Sequence, residues 1–140
     1  MPDLVQNKNM VRYIIADDAP FIHEIIKNVM PDTAFEHVGS AYNGLEAIDL
    51  VKRTLPDVVF LDFVMPTKSG VEAITEMKQI WPDLKIIGVS TVDNNGIIQM
   101  AMRNGMSAFI EKPFTKDTLF EALASVGYVV DSHQKMKESV

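Results

Sequence analysis

Val58-Val59-Phe60-Leu61-Asp62-Phe63-Val64-Met65-Pro66 is the stretch that decides the fold. Its first four residues are all apolar, β-branched or aromatic among them, with no polar alternation. That is the pattern of a short strand covered on both faces, as in a parallel sheet. Asp62 follows at once, and a carboxylate at the end of a buried run is costly without partners. The same arrangement recurs on either side. Val11 to Ala16 is an apolar run that stops at Asp17-Asp18, and Leu84 to Val89 ends at Ser90. Ser107 to Glu111 ends at Lys112-Pro113, and Ala34 to Ala41 forms a weaker strand.

Helical spacing fills the gaps. Behind Pro20, a good first-turn residue, come Phe21, Ile22, Ile25, Ile26, Val29 and Met30, until Pro31 ends the run. Asn43-Gly44 opens a second helix with a predicted stripe of Leu45, Ile48 and Val51 or Leu55, closed by Pro56. Val71, Ile74, Met77 and Ile80 form a third, stopped by Trp81-Pro82. After a polar loop from Thr91 to Gly96, in which Asn95-Gly96 reads as a turn, Ile97 to Arg103 is helical with Asn104-Gly105 as its cap. Thr115 to Val126 is the last helix, with Leu119, Phe120 and Leu123 facing inward. Five strand–helix repeats with short connections predict an α/β fold, a doubly wound parallel sheet with helices on both faces.

The 140 residues suit one domain and can bury a core without staples. A hydrophobic fraction of 47% against 23% charged is that of a globular chain and excludes intrinsic disorder. The net charge of −6 argues against direct nucleic-acid binding, which needs Lys and Arg to neutralise phosphates. With no cysteine, a disulfide scaffold, a thiolate metal site and a Cys nucleophile are excluded. No run approaches a membrane span and Met1 to Lys8 has no apolar signal core, so the expected location is the cytoplasm.

Ligands of an open α/β sheet bind beyond the carboxyl ends of its strands. Those ends hold Asp17, Asp18, Asp62, Ser90, Thr91 and Lys112. Three carboxylates gathered at one edge repel unless something positive lies among them. A hard divalent cation, Mg²⁺ with Mn²⁺ as a substitute, answers that need, and it favours phosphate oxygens as further ligands. An ammonium from Lys112 and a hydroxyl from Ser90 suit a phosphoryl group. Alone, Asp17-Asp18 before a helix would be a capping pair and Lys112 a solvated lysine. The combination in register is what speaks for a site.

These residues resemble the receiver domain of two-component response regulators, most closely the stand-alone chemotaxis type. The likeness rests on Asp17-Asp18, on Phe60 to Pro66 followed by Gly70, on Val89-Ser90 and on Lys112-Pro113-Phe114, in the family's order and spacing. It implies a flavodoxin-like (βα)5 fold with strand order 2-1-3-4-5. Residues 10–127 would be the receiver, 1–9 an N-terminal extension and 128–140 a polar tail. It implies Asp62 as phospho-acceptor from a sensor histidine kinase or phosphotransfer protein. Asp17, Asp18, Asp62 and the backbone carbonyl of Val64 would be the Mg²⁺ ligands. Ser90 would be the switch hydroxyl, in preference to Thr91, and Lys112 the phosphoryl partner, with its bond to Pro113 in cis. Phe109 stands at the aromatic switch position. Helix four, strand five and helix five would dock a downstream protein, here through Ile98 and Met102. Such a protein catalyses only its own phosphorylation and dephosphorylation, and no membrane insertion is expected.

Three residues depart from the pattern. Val64 replaces a polar side chain that helps place the hydrolytic water. Thr91 replaces a small Ala or Gly, and Phe109 lacks the hydroxyl of the common Tyr. Slow turnover of the phosphoryl group is the expectation. His23, His37 and His133 lie at no metal-ligand spacing and read as structural or solvated, and Met100, Met102 and Met106 read mainly as core filling. A receiver fragment of a larger regulator, with a DNA-binding or enzymatic output, is the alternative. A haloacid-dehalogenase-type phosphohydrolase would need an acid where Val64 stands. A flavin module would need a phosphate loop where two carboxylates stand.

Overall fold

The computed structural model describes residues 10–91 and 94–130. The predicted extension at 1–9 and nearly all of the predicted polar tail lie outside them. Five strands, β1 (Val11–Ala16), β2 (Phe35–Ala41), β3 (Val58–Leu61), β4 (Lys85–Ser90) and β5 (Ala108–Glu111), alternate with five helices. These are α1 (Pro20–Val29), α2 (Gly44–Thr54), α3 (Gly70–Ile80), α4 (Asn95–Asn104) and α5 (Lys116–Ser125). The sheet is parallel throughout, in the order β2-β1-β3-β4-β5. Every residue of β3 is buried, as its unbroken apolar run requires at the centre of the sheet.

The pleat sends alternate side chains to two separate cores. On one face Ile14, Val59, Leu61 and Ile86 meet α2, α3 and α4 through residues such as Ile48, Val51, Ile74 and Ala101. On the other, Tyr13, Ile15, Phe60 and Ile87 meet Ile22 and Ile26 of α1 and Leu119 and Leu123 of α5.

Helix ends follow local chemistry. Asn43, Asn94 and Thr115 each accept from a first-turn N–H, and Ser69 with Glu72 forms a capping box. The Asn94 cap starts α4 at Asn95, so Asn95-Gly96 is its first turn and not the predicted reverse turn. Two predicted stripes were too wide. In α1 Ile22, His23, Ile26 and the capping Met30 are buried, while Phe21 and Ile25 face out. In α2 Ala47 and Leu50 join Ile48 and Val51 inside. Leu45 is exposed there, and Leu55 is a left-handed cap residue facing solvent. Of the three methionines expected in the core only Met106 is buried, and Met100 and Met102 lie on the outer side of α4.

Candidate functional site

The carboxyl ends of β1, β3, β4 and β5 converge on one cluster. Asp17 is 1% exposed, Asp62 is buried and Asp18 stands at the mouth. One ligand oxygen from each of the three carboxylates lies within 4.8 Å of the others. The Lys112 ammonium donates to Asp17 Oδ2 at 2.7 Å and to Asp62 Oδ2 at 3.4 Å. Backbone N–H groups hold the remaining oxygens: Ala19 donates to Asp17 Oδ1 at 2.8 Å and Val64 to Asp62 Oδ1 at 3.2 Å. Ser90, fully buried at the end of β4, lies near enough to Asp62 to favour its charged form. The Lys112 backbone N–H donates to the Ser90 carbonyl, tying the ends of β4 and β5, and the Lys112–Pro113 peptide is cis.

Burial and the neighbouring Asp17 charge hold the Asp62 carboxyl above its ordinary value. The Val64 amide, Lys112 and Ser90 only partly oppose them. Three carboxylates share one ammonium in this cluster, so negative charge remains for a cation to neutralise. The donor set is all oxygen, which suits a hard divalent ion.

Gly70 packs against the backbone of Asp62 and Phe63. Its N–H donates to the Phe63 carbonyl at 3.1 Å, and a side chain there would run into the Asp62 carbonyl oxygen. That close approach is why α3 opens on glycine. Gly88 plays a similar part beneath Phe63 and Phe109, whose rings lie 5.3 Å apart.

The other predicted residues fall in two groups. Val64 is 61% exposed beside Asp62, and Thr91 is exposed after Ser90. Phe109 and Ile98 are half-buried against the core, and Met102 is 47% exposed one turn from Ile98.

Residues 13–124 match the family model described as the response regulator receiver domain. The chain belongs to that family. Chemotaxis protein CheY of Listeria monocytogenes is 40% identical over 114 residues, covering 81% of this receiver's chain and 96% of that protein. Transcriptional regulatory protein DegU of Brevibacillus brevis is 31% identical over 86% of the chain, but the match spans only 51% of that protein. A chain from the crystal structure of the CheX-CheY-BeF3-Mg complex of Borrelia burgdorferi has a TM-score of 0.79 at 22% identity. It covers 83% of this chain and 88% of that one. The predicted fold and strand order are thus those of the family, and the receiver is a component of two-component signalling. No helix among the described residues is long and apolar enough to cross a membrane.

Sequence reasoning missed two features of this receiver. Phe21 and Ile25 of α1, with Thr91, Lys112, Pro113 and Phe114, wall a cavity of about 330 Å³ beside the cluster. Their signal was present: two apolar residues at i,i+4 spacing off the Ile22–Ile26 face are surplus to the core. The second is His23, which is buried next to Asp17 and carried no legible pattern.

Proposed function

We propose that this receiver takes a phosphoryl group onto Asp62 from the phosphohistidine of a sensor histidine kinase or a phosphotransfer protein. The observation that carries the reading is the buried Asp62 carboxylate, held between Val64 N–H and Lys112 in an acidic cluster with Asp17 and Asp18. An Asp62 oxygen attacks phosphorus, the P–N bond breaks, and the donor imidazole leaves with the electron pair. The product is an acyl phosphate. Mg²⁺, or Mn²⁺ in its place, would be held by Asp17, Asp18, Asp62 and the Val64 carbonyl, and when bound it neutralises charge on the transferring group. Lys112 is within reach of Asp62 and Asp17 together, so it can follow the new charge without leaving the site. Ser90, beside Asp62, can donate its hydroxyl proton to the new phosphoryl group. Its burial at the end of β4 favours it over exposed Thr91 as the switch. Movement there reaches Phe109, whose strand neighbours β4, and the Ile98–Met102 side of α4, where a downstream protein would dock.

Intact mass after incubation with acetyl phosphate tests this. One added phosphoryl group, dependent on Mg²⁺ and lost in Asp62→Asn, is the expected result. Uptake that survives in Asp62→Asn, or no uptake even from a phosphorylated histidine kinase, refutes the assignment. A receiver joined to an output domain is the second reading, favoured by the DegU match, and the length of the expressed gene product separates the two.

A further inference from the structure

The geometry points to His23 as a positioning residue that sets the main chain of Asp17, and through it the acidic cluster, by a fixed imidazole tautomer. His23 is 2% exposed, and its Nε2 lies 2.7 Å from the Asp17 backbone oxygen. A carbonyl can only accept, so Nε2 carries the proton. The other nitrogen, Nδ1, is 2.9 Å from the Ser40 hydroxyl, and in a neutral ring it accepts from it. Ser40 has only one proton to give, so its oxygen must accept from His37 Nε2, which lies 3.0 Å away. The three contacts therefore form one directed chain: His37 Nε2–H to Ser40 oxygen, Ser40 O–H to His23 Nδ1, and His23 Nε2–H to Asp17. Tyr42 stacks on the His23 ring with centroids 4.6 Å apart and closes it from the outside.

Nothing in this chain is needed to join α1 to the sheet, because Ile22 and Ile26 already do that. What it adds lies at the turn where β1 ends. Asp17 N–H donates to Ala41 on β2, and Asp17 oxygen accepts from His23 on α1, so both sides of the Asp17 peptide frame are held. Asp17 Oδ1 and Oδ2 then face Ala19 N–H and Lys112, and Asp18 follows at the mouth. Partners behind metal ligands orient them, and losing one costs about tenfold or more in metal affinity.

The inference rests on the functional reading above, and Mg²⁺ titration calorimetry separates the two. Native protein that binds no Mg²⁺ overturns the functional reading and the inference with it. If native protein binds, His23→Phe keeps the ring but has no N–H. It should bind Mg²⁺ about tenfold more weakly. Its maximal phosphorylation rate should return at saturating Mg²⁺, and circular dichroism in EDTA should show it folded before the ion is added. His23→Gln keeps an N–H donor and should bind within about threefold of native. Native-like Mg²⁺ binding by folded His23→Phe overturns the inference alone, as does equal loss in the Phe and Gln variants. Where His23→Phe does not fold, Ser40→Ala carries the test. Imidazole ¹⁵N spectra should show His23 protonated on Nε2 in the native protein and a mixture of tautomers in Ser40→Ala. A native Nδ1–H tautomer overturns the inference.

Discussion

Asp62 sits in the folded protein with its proton affinity raised, chiefly by burial and then by Asp17. Between the ordinary carboxylate value of 3.8 and that raised value, the native state binds more protons than the unfolded chain. Stability therefore falls as pH rises through this window and stays reduced above it. Asp62→Asn removes the penalty and sacrifices only the longer of the two Lys112 contacts, 3.4 Å against 2.7 Å to Asp17. In EDTA at pH 7 the variant should melt a few degrees above the native protein, and the gain should vanish below pH 3.8. A lower melting point at pH 7 would show that Asp62 stabilises the free fold. Val64 makes a second residue-level prediction. With an apolar side chain exposed beside Asp62, nothing at that position orders an attacking water, so Val64→Asn should shorten the phosphoryl lifetime severalfold. Decay followed on Phos-tag gels checks it, and equal lifetimes would reject this role for Val64.

At the scale of elements, the β3–α3 junction shows how a backbone contact can outweigh helix propensity. Alanine is a better helix former than glycine, so propensity alone would favour it in α3. At Gly70, however, the new methyl would meet the Asp62 carbonyl, which belongs to backbone that cannot swing aside. Gly70→Ala should therefore lower both the melting temperature and the initial phosphorylation rate. A more stable variant would mean that the junction has slack. On α4 the exposed Met102 gives a cleaner separation of function from folding. Met102→Glu should keep Mg²⁺-dependent phosphorylation while a phosphorylation-dependent pull-down of the downstream protein fails, whereas lost phosphorylation would assign Met102 a structural role. These elements also show what sequence makes legible. β3, with its unbroken apolar run and terminal Asp62, could be read directly, as could Asp17-Asp18 and Lys112-Pro113, because strand ends fix where chemistry must lie. The exposure of Leu45 could not, since an apolar residue near a helical stripe looks the same whether it meets core or solvent. Nor could His23, whose role depends on Ser40 and Tyr42 arriving from another strand and loop.

The whole molecule brings together at one edge residues that the chain holds far apart. Lys112 reaches Asp17 across 95 positions and Asp62 across 50. In the unfolded chain these groups are scattered, so a divalent ion that needs all of them binds the native state only. Such an ion stabilises the fold by mass action, about 2.7 kcal/mol at a hundredfold excess over its dissociation constant. For a domain of this size that corresponds to roughly a 10 °C rise in melting temperature. The chain's net charge of −6 complicates the comparison, because any salt relieves self-repulsion and raises stability somewhat. That contribution is nearly the same in Asp62→Asn, whereas the site-specific one is not. Thermal unfolding in EDTA, in Mg²⁺ and in NaCl of equal ionic strength should show a large Mg²⁺ increment for the native protein. Asp62→Asn should show a reduced one, and NaCl a small and equal rise in both. Equal Mg²⁺ increments in the two proteins would place the ion on the general acidic surface and remove it from the strand ends.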